Sequence, residues 1–267
     1  MTATRSEQPT PAYVAGHDLL AGKVVVVTAA AGAGIGAAVV RRALEEGASH
    51  VVLGDTHERR LAEAGETLAD EFGKERVTAI RCDVTVEADI AALLDAAEAA
   101  GGVDVMVNNA GLGGTASLLE MTDEQWARVI DITLTGTMRC TRAAARRMVD
   151  RATKGVIVNN ASVIGWRAQE GQAHYAAAKA GVMALTRCSA LDLAPHGIRV
   201  NAVSPSLAMH PFLAKVTSDE LLAELKQREA FGRAAEPWEV ANVMVFLASD
   251  YSSYLTGEVI SVSSQHA

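Results

Sequence analysis

The stretch Thr28-Ala29-Ala30-Ala31-Gly32-Ala33-Gly34-Ile35-Gly36 decides how the rest of this chain is read. It follows the apolar run Val24-Val25-Val26-Val27 and precedes Ala37–Leu44, whose apolar residues recur at helical spacing. A strand, a turn of small residues and a helix in that order make a phosphate site. The turn lets a ligand approach the backbone, and the first N–H groups of the helix point at it. The glycines run G-x-G-x-G, however, and not the G-x-G-x-x-G of the common dinucleotide fingerprint. The loop therefore needs witnesses elsewhere in the chain.

Apolar, β-branched segments recur at Val24–Val27, Val51–Leu53, Val77–Ile80, Val103–Val107, Val156–Val158, Ile198–Val203 and Val259–Val262. Most are continuous rather than alternating, as strands buried on both faces are. Helical stretches lie between them at 35–46, 58–72, 87–100, 123–150, 174–194 and 237–249. The alternation predicts an α/β fold of Rossmann type: a doubly wound, parallel, seven-stranded sheet with helices on both faces. Residues 1–18 read as a polar, flexible N-terminal tail and 19–267 as a single dinucleotide-binding catalytic domain. A long excursion near 206–232, with the amphipathic Leu221-Leu222-Ala223-Glu224-Leu225, reads as a substrate lid.

Composition narrows the class. With 267 residues, 49% of them hydrophobic, the chain can bury one sizeable core. A net charge of -8 argues against nonspecific nucleic-acid binding. No run reaches membrane-spanning length, and no apolar signal core opens the chain. Cys82, Cys140 and Cys188 are widely spaced and form no C-x-x-C, which points to a reduced, cytoplasmic protein with packing thiols. His57, His196 and His210 share no ligand spacing, so no metal is expected.

Strand ends supply the witnesses for a nucleotide site. Asp55 ends the second strand, where a carboxylate can bind the adenosine ribose 2′-OH and repel a 2′-phosphate; this favours NAD over NADP. The alternative is that Asp55 merely caps the next helix. Cys82-Asp83-Val84 and Asn108-Asn109-Ala110-Gly111 end the third and fourth strands on the same edge. Tyr175 and Lys179 stand four apart on a predicted helix and so share a face. A tyrosine of ordinary pKa, about 10, is a poor base at neutral pH, and a neighbouring ammonium is expected to lower it. Ser162, at the end of the fifth strand, can bring its hydroxyl near that phenol and hold a substrate oxygen.

These residues strongly resemble the short-chain dehydrogenase/reductase family, through "NNAG" at 108–111, Ser162 with "YAAAK" at 175–179, and "RVNAVSP" at 199–205. The resemblance runs from about Leu20 to Ser264. It implies Tyr175 as acid/base, Ser162 as the holder of the substrate oxygen, and Lys179 on the nicotinamide ribose. Thr28, Ala31, Gly32, Gly34, Ile35 and Gly36 would line the pyrophosphate. Asp83 and Val84 would meet adenine, and Asn109, Ala110, Gly111, Pro205 and Leu207 the rest of the cofactor. It also implies a homotetramer or homodimer, with helices near 123–150 and 174–194 at one interface.

Four departures stand out. The family loop T-G-x-x-x-G-x-G is one residue shorter than Thr28–Gly36, which implies an insertion or a different first turn. Thr133 replaces the Asn that supports a relay water, so it is the candidate for that catalytic position. His210 stands where a Thr meets the nicotinamide phosphate. Ser263-Ser264-Gln265 replaces Asp-Gly-Gly. "TAAAGAGIG", "NNASVIGWRAQ" and "GRAAEPWEV" are similar to actinobacterial members linked to steroid-ring acyl-CoA catabolism, while other parts resemble 3-oxoacyl-carrier-protein reductases.

Trp166, Arg167, Gln169, Gln172 and His174 should border the substrate, with Arg167 able to meet a carboxylate or CoA thioester. His174 also reads as a polar helix start. Arg139, Arg142, Arg146, Arg147 and Arg151 read as a solvated or interface face rather than a CoA site. The expected function is an NAD-dependent interconversion of a secondary alcohol and a ketone. The alternatives are an NADPH-dependent 3-oxoacyl reductase and, in another class, a catalytically silent NAD-binding sensor or scaffold.

Overall fold

The computed structural model describes residues 7–209 and 219–265, and of Leu221 only the backbone. Its strands are β1 (Val24–Thr28), β2 (His50–Asp55), β3 (Val77–Arg81), β4 (Val105–Asn108), β5 (Val156–Asn160), β6 (Arg199–Pro205) and β7 (Val259–Val262). They form one sheet in the order β3-β2-β1-β4-β5-β6-β7, parallel throughout. The helices are α1 (Ile35–Glu45), α2 (Glu58–Phe72), α3 (Glu87–Ala99), α4 (Asp123–Ile130), α5 (Gly136–Asp150), α6 (Ala173–Leu193), α7 (Asp219–Arg228) and α8 (Pro237–Ala248).

The unbroken valines of β1 have a direct cause. Val25 and Val27 pack into a core with Val39, Val40 and Met244 of α1 and α8. Val24 and Val26 point the other way, into a core with Leu93 of α3, Met148 of α5 and Ile157 of β5. Both faces are covered, so no polar alternation is tolerated. The chain leaves β1 toward β2 and β3, then returns to place β4 on β1's other side. This makes the β1/β4 edge the switch point, where such sheets bind ligands beyond the strand carboxyl ends.

Two expectations are corrected. The helix expected over 123–150 is three pieces, with a π-helical turn at Asp131–Thr135 between α4 and α5. Apolar periodicity does not register such a bulge. Contacts hold it in place: Thr133 bonds Leu112, and Gly136 packs so close to Val84 that a Cβ there would lie 2.6 Å from its Cγ2. The segment 7–18, expected to be loose, is docked. Tyr13 lies edge-on to Trp238 with ring centroids 5.3 Å apart and donates its hydroxyl to Glu45. Glu46 accepts the N–H groups of His17 (2.7 Å) and Leu19 (3.0 Å), and Gln8 donates its N–H to the Phe231 carbonyl. Polar composition hid these side-chain anchors.

The excursion after β6 has a closed neck. Ala235 donates its N–H to the Leu207 carbonyl, and its own carbonyl accepts from Met209. Within it α7 forms where the amphipathic stretch was expected. His210, with the rest of 210–218, lies outside the described residues.

Candidate active site

The first wall is the loop between β1 and α1. Thr28, 1% exposed, accepts the backbone N–H groups of Asn109 and Ala110, both at 3.0 Å, and so ties β1 to β4. Gly36 is the second residue of α1, and a Cβ there would stand 2.3 Å from the Ala29 carbonyl oxygen. Both ends of the stretch are thus anchored, with an arc between them. Ala29 (φ 50) and Gly32 (φ 111) supply that arc's left-handed turns. Ala31 donates its N–H to Asp55 Oδ2 at 3.0 Å, so the arc leans on the carboxylate of β2. No side chain caps α1 at Gly34, and no acid lies in its first turn. Nothing stands within 4 Å of a Cβ built on Gly34. An uncapped helix start with an open approach suits a diphosphate.

Asp55 is buried, and its Oδ1 accepts the N–H of His57 at 2.9 Å. It does not cap α2; His57 does, through Nδ1. Asp83 Oδ1 accepts both the N–H and the hydroxyl of Thr85, which together hold its pKa low. Val84 is buried beneath Gly136. Asn109 spends its amide within the protein: Nδ2 donates to the Thr28 and Ala29 carbonyls, and Oδ1 accepts from Asn160 Nδ2 at 2.9 Å. It shapes the floor of the cleft. Ala110 and Gly111 follow it, and a Cβ on Gly111 would lie 3.4 Å from Lys179 Nζ.

The second wall carries the chemistry. Helix α6 presents Tyr175 and Lys179 on one face, with Lys179 Nζ 5.5 Å from the tyrosine ring centroid. Lys179 is 2% exposed and donates to the Asn160 carbonyl at 2.5 Å. Burial lowers its pKa to about 8, so most of it stays charged at neutral pH. Ser162 follows β5, accepts the Ile164 N–H at 3.3 Å and lies near enough to the Tyr175 phenol to favour its ionised form. The expected lowering of Tyr175 does not occur in the free site. Burial pushes its pKa up to about 12 against the opposing pull of Ser162. Tyr175 is therefore a protonated acid at neutral pH.

Thr133 is fully buried, and its hydroxyl is used twice by Leu112: it donates to the carbonyl at 3.1 Å and accepts the N–H at 2.9 Å. It fixes the loop after β4 against the π-helical turn. Pro205 ends β6, and Leu207 donates its N–H to Glu229 at 3.3 Å. Among the substrate candidates, Trp166 is half exposed and Arg167 donates to Gln265. Gln172 and His174 turn inward: Gln172 Nε2 donates to the Gly114 carbonyl at 2.7 Å, and His174 is 2% exposed. They seat the loop after β4. Arg142 and Arg147 of α5, and Arg151 just after it, pair with α3, as Arg142–Glu87, Arg147–Asp95 and Arg151–Glu98. Cys82 and Cys140 are buried, and burial raises both thiols. Among the described residues no His/Cys/Asp/Glu group could hold a metal ion, and no helix is long and apolar enough to cross a membrane.

Asn160 and Glu229 went unnoticed in the sequence. Asn160 sits beside a second Asn at a strand end, which is a faint signal. Glu229 carries none.

A family model described as enoyl-(acyl carrier protein) reductase matches residues 29–264. A crystal structure of a short chain dehydrogenase from Mycobacterium smegmatis, 57% identical, superposes with a TM-score of 0.86 over 97% of this chain and 99% of that one. The chain belongs to the short-chain dehydrogenase/reductase family. Among its short-chain dehydrogenase/reductase relatives is the "(5R,7aS)-5-hydroxy-7a-methyl-1-oxo-2,3,5,6,7,7a-hexahydro-1H-indene-carboxyl-CoA reductase" of Mycobacterium tuberculosis, 63% identical over 96% of this chain and 97% of that protein. Another is the cis-4-hydroxycyclohexanecarboxylate dehydrogenase of Sinomonas cyclohexanicum, 43% identical over 92% and 96%. This chain is accordingly an oxidoreductase of the secondary alcohol/ketone type, in a family that works with nicotinamide dinucleotides.

Proposed function

We propose that this protein is an NAD(H)-dependent reductase and dehydrogenase of a ring hydroxyl on a steroid-derived acyl-CoA, with Tyr175 as its acid/base. The observation that carries the mechanism is the Ser162–Tyr175–Lys179 grouping at the switch-point edge. The substrate in the name of the relative from Mycobacterium tuberculosis, a methylated bicyclic ketone bearing a carboxyl-CoA, supports the ring and acyl-CoA parts of this reading.

Bound nicotinamide supplies or takes up the hydride. Ser162 holds the substrate oxygen. Tyr175, protonated at neutral pH, gives its proton to that oxygen as negative charge develops there. Lys179 stabilises the phenolate left behind, since its charge faces the ring. In the oxidative direction the same phenolate accepts the proton. The uncapped start of α1 would bind the pyrophosphate, Asp55 the ribose 2′-OH, and the free Oδ2 edge of Asp83 the adenine. A 2′-phosphate would meet the Asp55 carboxylate and be repelled.

The test is a spectrophotometric screen with NADH and NADPH over ring-ketone CoA thioesters, 3-oxoacyl thioesters and neutral cyclic ketones. NADH-dependent turnover of the ring-ketone thioester is expected. A clear NADPH preference would overturn the role given to Asp55. NADH binding without turnover of any substrate would favour the silent sensor.

We also infer a homo-oligomer. The apolar groove between α5 and α6, lined by Met138, Ala145, Val149, Leu185 and Leu193, suits burial against a second copy. A molar mass in solution equal to a monomer's would refute it.

A further inference from the structure

The last strand runs into Ser264 and Gln265, whose side chains the catalytic chemistry does not use. Both side chains converge on Glu229, which follows α7 and is 1% exposed. Its Oε2 accepts the Ser264 hydroxyl at 2.8 Å. Its Oε1 accepts Gln265 Nε2 at 2.8 Å and the Leu207 N–H at 3.3 Å. On its other side Gln265 Oε1 accepts a hydrogen bond from Arg167 Nη1. The chemistry of the partners forces the amide's orientation. A guanidinium only donates and an ionised carboxylate only accepts, so the amide oxygen must face Arg167 and the nitrogen Glu229.

One buried carboxylate thus ties together the loop after β6, the end of the lid and the chain's last strand, and through Gln265 it reaches the loop after β5. The choice of an amide as the link to Arg167 matters electrostatically. Elsewhere Arg41, Arg42, Arg139, Arg147 and Arg233 are paired with carboxylates, while Arg76 and Arg199 donate to neutral oxygens of the protein. Among the described residues Arg167 has no carboxylate partner. An amide holds the guanidinium in place without neutralising it, leaving its charge and remaining N–H groups for a ligand. Arg167 stands directly after Trp166, which is half exposed between the catalytic serine and tyrosine segments.

We propose that Glu229, Ser264 and Gln265 are positioning residues that hold Arg167 as the docking cation for an anionic oxygen group of the substrate. That group is either the carboxylate of a ring acid or a phosphate of its CoA thioester. The proposal rests on reading the substrate as an acyl compound with a ring ketone.

Steady-state kinetics with NADH would test it. The substrates are a neutral cyclohexanone, 4-oxocyclohexanecarboxylate and the CoA thioester of that acid. Wild type should show a lower KM for at least one anion than for the neutral ketone, and the arm with the lower KM identifies which anion docks. Gln265→Gly and Gln265→Glu should each erode that KM ratio about tenfold, the size expected for loss of one oriented, charge-assisted hydrogen bond. Glu229→Gln, which can still accept from Ser264 or Leu207, should erode it less. Added salt should erode the wild-type ratio but leave that of Gln265→Glu, already lost, unmoved. A wild type that prefers the anion, with a Gln265→Gly variant that keeps the preference, overturns the positioning role. So does a Gln265→Gly variant whose kcat and KM worsen equally for all three substrates. A wild type without any anion preference removes the substrate reading itself, a different result from either.

Discussion

The two walls of the cleft are built by different means. On the β1–β3 side, small residues and backbone groups do the work: Thr28 holds two N–H groups, Gly36 admits a carbonyl, and Asp55 and Asp83 accept N–H groups two residues on. On the β5–β7 side, long side chains reach across the molecule: Lys179 to Asn160, Arg167 to Gln265, Gln265 to Glu229. The first design suits a ligand that a whole family shares. The second can be rewritten one side chain at a time, which is what a substrate pocket requires.

The largest test of this division falls on the second wall. Tyr175→Phe removes the proton donor and keeps the ring, so turnover should drop about 10²–10⁴-fold. NADH binding, followed by fluorescence, should be retained because the first wall is untouched. Full turnover in this variant would sink the mechanism.

Lys179→Met should separate function from stability. The lysine is buried beside a carbonyl and a ring without a carboxylate, and burial lowers its pKa from 10.5 to about 8. Between those pH values the unfolded chain holds a proton that the folded chain lacks, so wild-type stability rises with pH across the window, by roughly 3 kcal/mol in all. Below pH 8 the charged amine is a cost to folding. Lys179→Met should therefore be more stable than wild type at pH 7, with the gap closing from pH 8 to 10.5, while activity is lost. Urea titrations at several pH values would check it, and a less stable variant at pH 7 would contradict the burial argument.

The first wall predicts a contrast between two glycines. Gly36→Ala places a methyl 2.3 Å from the Ala29 oxygen and should cost about 1–3 kcal/mol, with cofactor affinity falling as the arc shifts. Gly34→Ala meets nothing within 4 Å and should leave stability nearly unchanged, yet weaken NADH binding because the methyl occupies the open approach. Equal denaturation midpoints for the two variants would show that the loop is not held where Gly36 places it.

The same contrast explains what could be read from the sequence. The seven strands and the order of helices were legible because a parallel sheet imposes long apolar runs and puts βα turns at regular intervals, which also lines the candidate residues along one edge. The first wall followed, since glycine spacing and Asp55 act locally. The π-helical turn was not legible, because Thr133 and Gly136 are placed by Leu112 and Val84, far away in sequence. Nor was the raised pKa of Tyr175, since spacing shows the neighbouring lysine and hides the burial that outweighs it. Glu229 was invisible for the same reason: it is one acid among many until Ser264 and Gln265 arrive beside it.

The smallest effect concerns a segment that touches both sides of the molecule. Residues 7–18 lie against α1 and α8, and Gln8 reaches Phe231, which follows α7. Tyr13 is the anchor: its ring packs edge-on against Trp238, Arg42 stacks over it at 5.5 Å, and its hydroxyl donates to Glu45. It is 45% exposed, so Tyr13→Ala should cost only about 1 kcal/mol, the usual worth of an exposed aromatic pair or cation–π contact. Arg42 and Glu46 stay paired beneath it and should keep the fold intact. If the segment also steadies α7 and the residues after it, KM for the acyl substrate should rise about twofold while NADH affinity holds, because Glu229 there belongs to the second wall. A fall in NADH affinity instead would tie the segment to the first wall, and the division between the two walls would have to be redrawn along α1.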